Sequence, residues 1–407
     1  MKDKLDFVRQ VLGGQEKRED LTLLKPPSTY FDNRKGVDAD LARVGRGLLK
    51  EGKVAALMVA GGLSSRMKTK VLRGNLPIGP VTERSIFRLQ AEKIAAIQKR
   101  SAPGMQWFVL TSPEVHSTTV YTFESNGFFG VPREDLRFFQ QATLPVLDMR
   151  GRPVDLGDGI YLENPTGHGG VLDALKETSL LQDLVLRGID YLFYFQYPNV
   201  LEQICDPVML GYHHENGFDV TTKAIMEYDP EEKMGRCTEK NGLLHIIEYH
   251  FLKDLSSDSW FHTVPASIGT HVWSISFVER CIKDGIQLPY HKVVYHDASV
   301  DLGPLQKVEQ FVFDLLAYTR KCGLLVVDRN REYAPVKTPK GLDSLESARK
   351  TLSELYISWL EEAGATRADS ENVSCRIEIS PLFAIGPDEL KRKLSPGFTF
   401  GDGLVLG

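Results

Sequence analysis

The residue types best suited to do chemistry in this chain are Gly61, Gly62 and Arg66, which follow the apolar run Val54-Ala-Ala-Leu-Met-Val-Ala60 without a break. Only glycine lets backbone N–H groups close on an anion with no Cβ in the way, and an arginine beside them offers a rigid fork of donors. The chemistry of such a turn is the holding of phosphate, and a nucleoside triphosphate is its natural guest. The apolar run reads as a buried parallel strand that delivers the turn. Strands ending in paired glycines also occur in α/β proteins that bind nothing there, so the turn alone leaves both readings open.

The elements around it repeat one alternation. Ser85 to Ile97 sets Ile86, Leu89, Ile94 and Ile97 on one helical face. Trp107 to Ser112 and Tyr191 to Gln196 are apolar nearly throughout, as strands covered on both faces are. Asp38 to Glu51 predicts an amphipathic helix, Gly323 to Asp328 a strand, and Ser344 to Ala363 a long amphipathic helix. Strands alternating with helices predict an α/β fold with a doubly wound, mixed but mainly parallel sheet. Between about 219 and 275 the pattern changes: Val220 to Ile225 and Leu243 to Tyr249 are set off by Asp229-Pro230 and Asn241-Gly242, the latter a hairpin signal, and predict an antiparallel extension over the sheet. Val308 to Tyr318 reads as helical, and short β-like pieces follow from about 370. The expected division is an N-terminal lead-in over 1–50, a catalytic domain over 51–365 and a small C-terminal β-containing region over 366–407. Asp206 before Pro207 reads as a helix N-cap rather than a ligand.

Composition narrows the function. Hydrophobic residues make up 42% and charged residues 25%, the balance of an ordinary globular protein. A net charge of −5 gives no global pull toward nucleic acid. No apolar run approaches the ~20 residues that span a bilayer, and the charged start Met1-Lys-Asp-Lys lacks a signal-peptide core, so a cytoplasmic location is expected. Cys205, Cys237, Cys281, Cys322 and Cys375 show no CxxC spacing and suggest neither a disulfide framework nor a zinc site. His168, His271, His291 and His296 also lack metal-ligand spacing; His296 is the one whose imidazole could stand in for a lysine near phosphate.

Taken in order, Ala60-Gly61-Gly62 with Arg66, Pro77-Ile-Gly-Pro80, Phe139-Gln-Gln141, Gly167-His-Gly-Gly170, Asp206-Pro207, Lys223, Ile247-Glu-Tyr249, Leu288-Pro-Tyr-His291, Glu309 to Asp314 and Arg331 to Lys337 resemble the UDP-sugar and UDP-N-acetylhexosamine pyrophosphorylases, the eukaryotic-type uridylyltransferases. The resemblance runs from about Val54 to Ala363. It implies a nucleotidyltransferase fold and the reaction of UTP with a sugar 1-phosphate, N-acetylglucosamine 1-phosphate or a hexose 1-phosphate, to give UDP-sugar and pyrophosphate. By the same resemblance, Gly61, Gly62, Gln141, Gly169 and Gly170 bind the nucleotide, with Gln141 on the uracil edge. Arg66, Arg73 and Lys337 serve the phosphates, and Asn199, Lys223 and Glu248 contact the sugar. The implied partners are small molecules, with no nucleic acid or membrane among them.

Departures from the family pattern fall in the catalytic pieces. Ser64 and Lys68 stand where the loop has glycines, Leu72-Arg73-Gly74 replaces Pro-Lys-Gly, Ala266-Ser267 replaces Gly-Asn, and Tyr295-His296 replaces Lys-Lys. The family uses magnesium held by an aspartate after the central strand, and this chain has Pro198 there, which cannot ligand a metal. Two functions therefore follow from the sequence: a uridylyltransferase with altered metal and phosphate handling, or a family member that binds nucleotide-sugar in a regulatory or scaffolding role without turnover. Transfer with another base, such as adenine, is disfavoured by Gln141.

Overall fold

The computed structural model describes residues 1–14, 20–61, 72–229, 232–252, 259–296, 303–368 and 375–407. Gly62, Arg66 and Lys68 lie outside them. Apolar runs with no polar face form the central strands. Val54–Val59 (β1), Trp107–Thr111 (β2), Leu136–Gln140 (β3) and Tyr191–Gln196 (β4) pair in parallel in the order β4-β1-β2-β3. Every residue of β1 and β2 is buried, as two covered faces require. Val220–Ile225 (β5), Ala266–Ser274 (β6) and Cys322–Val326 (β7) continue the sheet beyond β4 in the order β6, β5, β7, and Phe31–Asp32 closes that edge. Only β6 of this row runs antiparallel to its neighbours, β4 and β5.

Alternation along β1 divides the core. Val54, Ala56 and Met58 join one apolar cluster, under Ile86–Arg100 (α2) and Leu345–Glu362 (α4), while Ala55 and Leu57 join the other, with Leu172, Leu175 and Phe277. The result is the expected doubly wound, mainly parallel α/β sheet. Helix starts follow local chemistry: the side chains of Asp38, Ser85, Asp206 and Ser344 accept backbone N–H groups as N-caps of Ala39–Lys50 (α1), α2, Pro207–Glu215 (α3) and α4. Asp206 is thus the cap the sequence predicts.

Two expectations are corrected. Val220–Ile225 does not belong to an extension over the sheet; it is a central strand, parallel to β7. The extension is the hairpin of Arg236–Lys240 with Leu243–Ile247, turned at Asn241 (φ 53°) and Gly242 (φ 76°) as its dipeptide predicts. Val308 to Gln310 is not helical either. It ends the strand Pro304–Gln310, paired with Tyr290–His296, and a 3-10 turn over Val312–Tyr318 follows. A sheet partner overrides the local spacing there. The C-terminal β pieces exist: Glu378–Ile379 pairs with Val405–Leu406, and Thr399–Phe400 with Thr366–Arg367.

Candidate active site

A cleft of about 360 Å³ opens at the carboxyl ends of β1 and β4, beside Gln141, which follows β3. Open α/β sheets bind their ligands outside the carboxyl ends of such strands. Antiparallel β6 and the strand Pro304–Gln310 supply much of the remaining wall.

At one end Gln141 leaves β3 with its N–H donated to the carbonyl of Thr111 at 2.9 Å. Its side chain is buried between two glycines: a Cβ on Gly61 would lie 2.3 Å from Nε2, and one on Gly170 3.2 Å from Oε1. The glycines therefore make room for an amide aimed at the cleft, which Gly61 and Gln141 both line. Gly169 and Gly170 sit one layer behind, Gly169 against the backbone of Gln310 and Phe311. His168 faces the same end. Its Nδ1 accepts the N–H of Val312 at 3.0 Å, its ring stacks on Phe311, and burial pushes its pKa down to about 4. A neutral ring whose Nδ1 accepts carries its proton on Nε2, so His168 is a fixed donor.

Cations line the same cleft. Arg73 lines the cleft from the 3-10 turn Arg73–Asn75, close enough to Tyr197 to act on its titration. Lys337 donates to Tyr333 Oη at 2.6 Å and lies 3.4 Å from Asp343 Oδ2. Burial pulls its pKa down, but Tyr333 and Asp343 outweigh burial and leave it above the ordinary lysine value. Lys307, 2.6 Å from Glu309 Oε1, is a third cation of the lining, on the His168 side of the cleft, where Glu309 acts on the His168 ring.

The three residues expected at the sugar part ways. Glu248 lines the cleft, and burial, with Glu309 nearby, pushes its carboxyl up to about 7. Asn199 also lines it, but its amide is engaged by the protein: Nδ2 donates to Glu202 Oε2 (2.9 Å) and to the carbonyl of Glu332 (2.7 Å), and Oδ1 accepts the N–H of Ala334 (3.0 Å). Lys223 does not line the cleft. Fully buried, it sits 2.9 Å from Asp206 Oδ2 and 2.5 Å from Glu332 Oε2, and these carboxylates outweigh burial and raise its pKa. The geometry makes Lys223 a tie between α3 and the segment before Lys337. His296 ends its strand at an exposed position away from the cleft.

The end of β4 does not fit a resident magnesium ion. Pro198 has no side-chain oxygen, and its carbonyl accepts the N–H of Val336 at 3.0 Å. The carbonyls of Tyr197 and Asn199 accept from Gln90 Nε2 at 2.9 and 2.8 Å. Hard cations need available oxygens, carboxylates above all. Among the described residues no group of three or more His, Cys, Asp or Glu could hold a metal ion.

Sequence reasoning passed over Gln196, His168 as a donor, Tyr333 and Lys307, all of which line the cleft. Gln196 carried a signal: it is the polar last residue of an apolar strand, at the end where α/β ligands bind. The other three reach the cleft only through pairings distant in sequence.

This sheet, with a cleft at its strand ends lined by Arg73, Lys307 and Lys337, has the fold of the nucleotidyltransferases. A profile of the UTP–glucose-1-phosphate uridylyltransferase family matches residues 14–362, and the chain belongs to that family. It is 30% identical over 382 residues to the UDP-N-acetylglucosamine pyrophosphorylase of Saccharomyces cerevisiae, covering 87% of this chain and 80% of the yeast protein. It is 29% identical over 377 residues to UDP-N-acetylglucosamine diphosphorylase 2 of Arabidopsis thaliana, covering 86% and 74% of the two chains. The crystal structure of the uridine diphosphate N-acetylglucosamine pyrophosphorylase of Trypanosoma brucei with an inhibitor shares the fold at a TM-score of 0.79 and 24% identity, over 98% of this chain and 88% of that one. No helix among the described residues is long and apolar enough to cross a membrane.

Proposed function

We propose that this chain is a UDP-sugar pyrophosphorylase that joins UTP to N-acetylglucosamine 1-phosphate, releasing pyrophosphate. The observation that carries the reading is the side chain of Gln141, held between Gly61 and Gly170 in a cleft that Arg73 and Lys337 also line. The amide suits the donor and acceptor edge of uracil, and the cations suit the triphosphate. N-acetylglucosamine is the sugar in the names of the yeast and plant relatives.

In the reaction an oxygen of the sugar phosphate bonds to the α-phosphorus of UTP as the bond to the β-phosphate oxygen breaks, and pyrophosphate leaves with that electron pair. Phosphoryl-type transfer asks a protein mainly for positioning and charge neutralisation. Arg73 and Lys337 supply the cations, joined by Arg66 and the Gly61-Gly62 turn on sequence grounds. Glu248 is the sugar-facing group, and Asn199 and Lys223 act from behind by fixing the segment that bears Lys337. Magnesium is generally expected in nucleotidyl transfer; on this reading it arrives with the triphosphate rather than on a protein carboxylate at the end of β4. The sequence supports a cytoplasmic setting.

Pyrophosphate release with UTP, magnesium and a panel of N-acetylglucosamine, glucose and galactose 1-phosphates tests the proposal, and the N-acetylglucosamine compound is expected to turn over fastest. UDP-sugar binding without release from any of the three would instead support the scaffolding alternative, which the named relatives do not favour.

A further inference from the structure

The turn between Pro77 and Ser85 follows the segment of Arg73 and leads into α2. Within it the N–H groups of Ile78 and Gly79 donate to the carbonyl of Arg84 at 2.9 and 3.0 Å, and Pro77 bridges to Ser85. Upstream, the N–H of Leu76 donates to the carbonyl of Arg73 at 3.1 Å, and the carbonyl of Leu76 accepts from Ile86 at 3.1 Å. Arg73 is thus carried on a backbone whose anchor is this turn.

The tip of the turn is held from outside. Glu378, 1% exposed, comes from the C-terminal segment nearly three hundred residues on, where it pairs with Val405. Its Oε2 accepts the N–H of Val81 at 2.9 Å and of Thr82 at 2.7 Å, and its Oε1 accepts the hydroxyl of Thr82 at 2.5 Å and meets Arg84 Nε. Arg84 reaches Glu92 on α2 at 2.6 Å, and Glu92 also accepts from Ser380 at 2.9 Å. A carboxylate that collects two backbone N–H groups, a hydroxyl and a guanidinium leaves the turn no other low-energy arrangement, because releasing it strands a buried charge.

We propose that Glu378 is a positioning residue for uridylyl transfer: from the C-terminal segment it fixes the 77–85 turn and, through it, the place of Arg73 at the phosphate end of the cleft. The inference rests on the cleft taking UTP, but its mechanical half stands apart from that.

The test compares Glu378→Gln and the milder Thr82→Val, which removes one donor, with Asp402→Asn. The last loosens the exposed Arg376–Asp402 pair of the same C-terminal segment without touching the turn. Hydrogen exchange on the ligand-free protein should speed up at Leu76 and Ile86 about tenfold in Glu378→Gln, less in Thr82→Val, and not in Asp402→Asn. Unchanged exchange at those amides in Glu378→Gln overturns the proposal, whether or not the wild type binds UTP. In turnover, Glu378→Gln should raise KM for UTP about fivefold or more while kcat and KM for the sugar 1-phosphate stay within about twofold. Equal losses in Glu378→Gln and Asp402→Asn would reduce Glu378 to a stability role and also overturn it. A wild type that shows the exchange pattern but binds no UTP would defeat the uridylyltransferase reading and with it the link from Glu378 to the reaction.

Discussion

Asn199 Oδ1 accepts the N–H of Ala334 at 3.0 Å, which closes the end of β4 onto the segment that ends in Lys337. The backbone repeats the closure on both sides: Val200 N–H donates to the carbonyl of Ala334 at 3.2 Å, and Val336 N–H to that of Pro198 at 3.0 Å. Lys223 secures the same segment from below through Glu332. The end of β4 is here the foundation for a lysine.

Replacing Asn199 with alanine strands the N–H of Ala334 and the carbonyl of Glu332 in the interior. Each buried group left unsatisfied costs about 1–3 kcal/mol. Urea unfolding should show a loss in that range or somewhat above it, with an unchanged m-value. Because Lys337 loses its support, UDP-sugar affinity should also fall; an Asn199→Ala protein that is destabilised yet binds as the wild type does would make Asn199 structural only.

The fold was legible where local chemistry decides it. β1, β2 and β4 are apolar on both faces because helices cover both, and the caps Asp38, Ser85, Asp206 and Ser344 act within three residues of themselves. Val308 to Gln310 was not legible as strand, since its spacing suits a helix and only the partner strand Tyr290–His296 decides otherwise. In the site, Gln141 and Glu248 could be placed by family pattern. The burial of Lys223 was not legible, because its partner Glu332 lies 109 residues away and draws the ammonium inward.

Gly61→Ala should strike base recognition. The new Cβ would stand 2.3 Å from Gln141 Nε2 and about 3.2 Å from the backbone of Ser112, so the glutamine must swing away. A lost base contact of this kind costs about 1–3 kcal/mol, roughly tenfold or more in KM for UTP, with little change in melting temperature. Steady-state kinetics with UTP and CTP checks it: discrimination between the two bases should narrow, and undiminished preference would remove Gln141 from the reading of uracil.

Metal removal should leave binding of the nucleotide-sugar almost untouched. At the end of β4 the carbonyls of Tyr197, Pro198 and Asn199 and the Oδ1 of Asn199 each already accept a hydrogen bond from the protein, and the neighbouring Glu202 carboxylate accepts from Asn199 and Thr270 and does not line the cleft. Calorimetry with UDP-N-acetylglucosamine in EDTA and in millimolar magnesium should return dissociation constants within about twofold of each other. A tenfold weakening in EDTA would mean that the protein holds the ion elsewhere.

Glu248 should make stability depend on pH across a range where most carboxylates are silent. In the unfolded chain its carboxyl titrates near 4.5; in the folded protein burial, with Glu309 nearby, raises that to about 7. Between the two values the unfolded state has given up the proton while the folded state keeps it, so folding is penalised progressively as pH rises. The contribution is whole below about 4.5, declines as pH climbs, and is gone once pH passes about 7. Glu248→Gln keeps the shape and stays neutral throughout, which removes this slope and leaves those of other groups. Melting temperatures from pH 5 to pH 8 should therefore show the wild type losing ground steadily to the Gln variant, most of it before pH about 7. Parallel curves for the two proteins would mean that the half-buried Glu248 carboxyl titrates in the folded protein as it does in the unfolded chain.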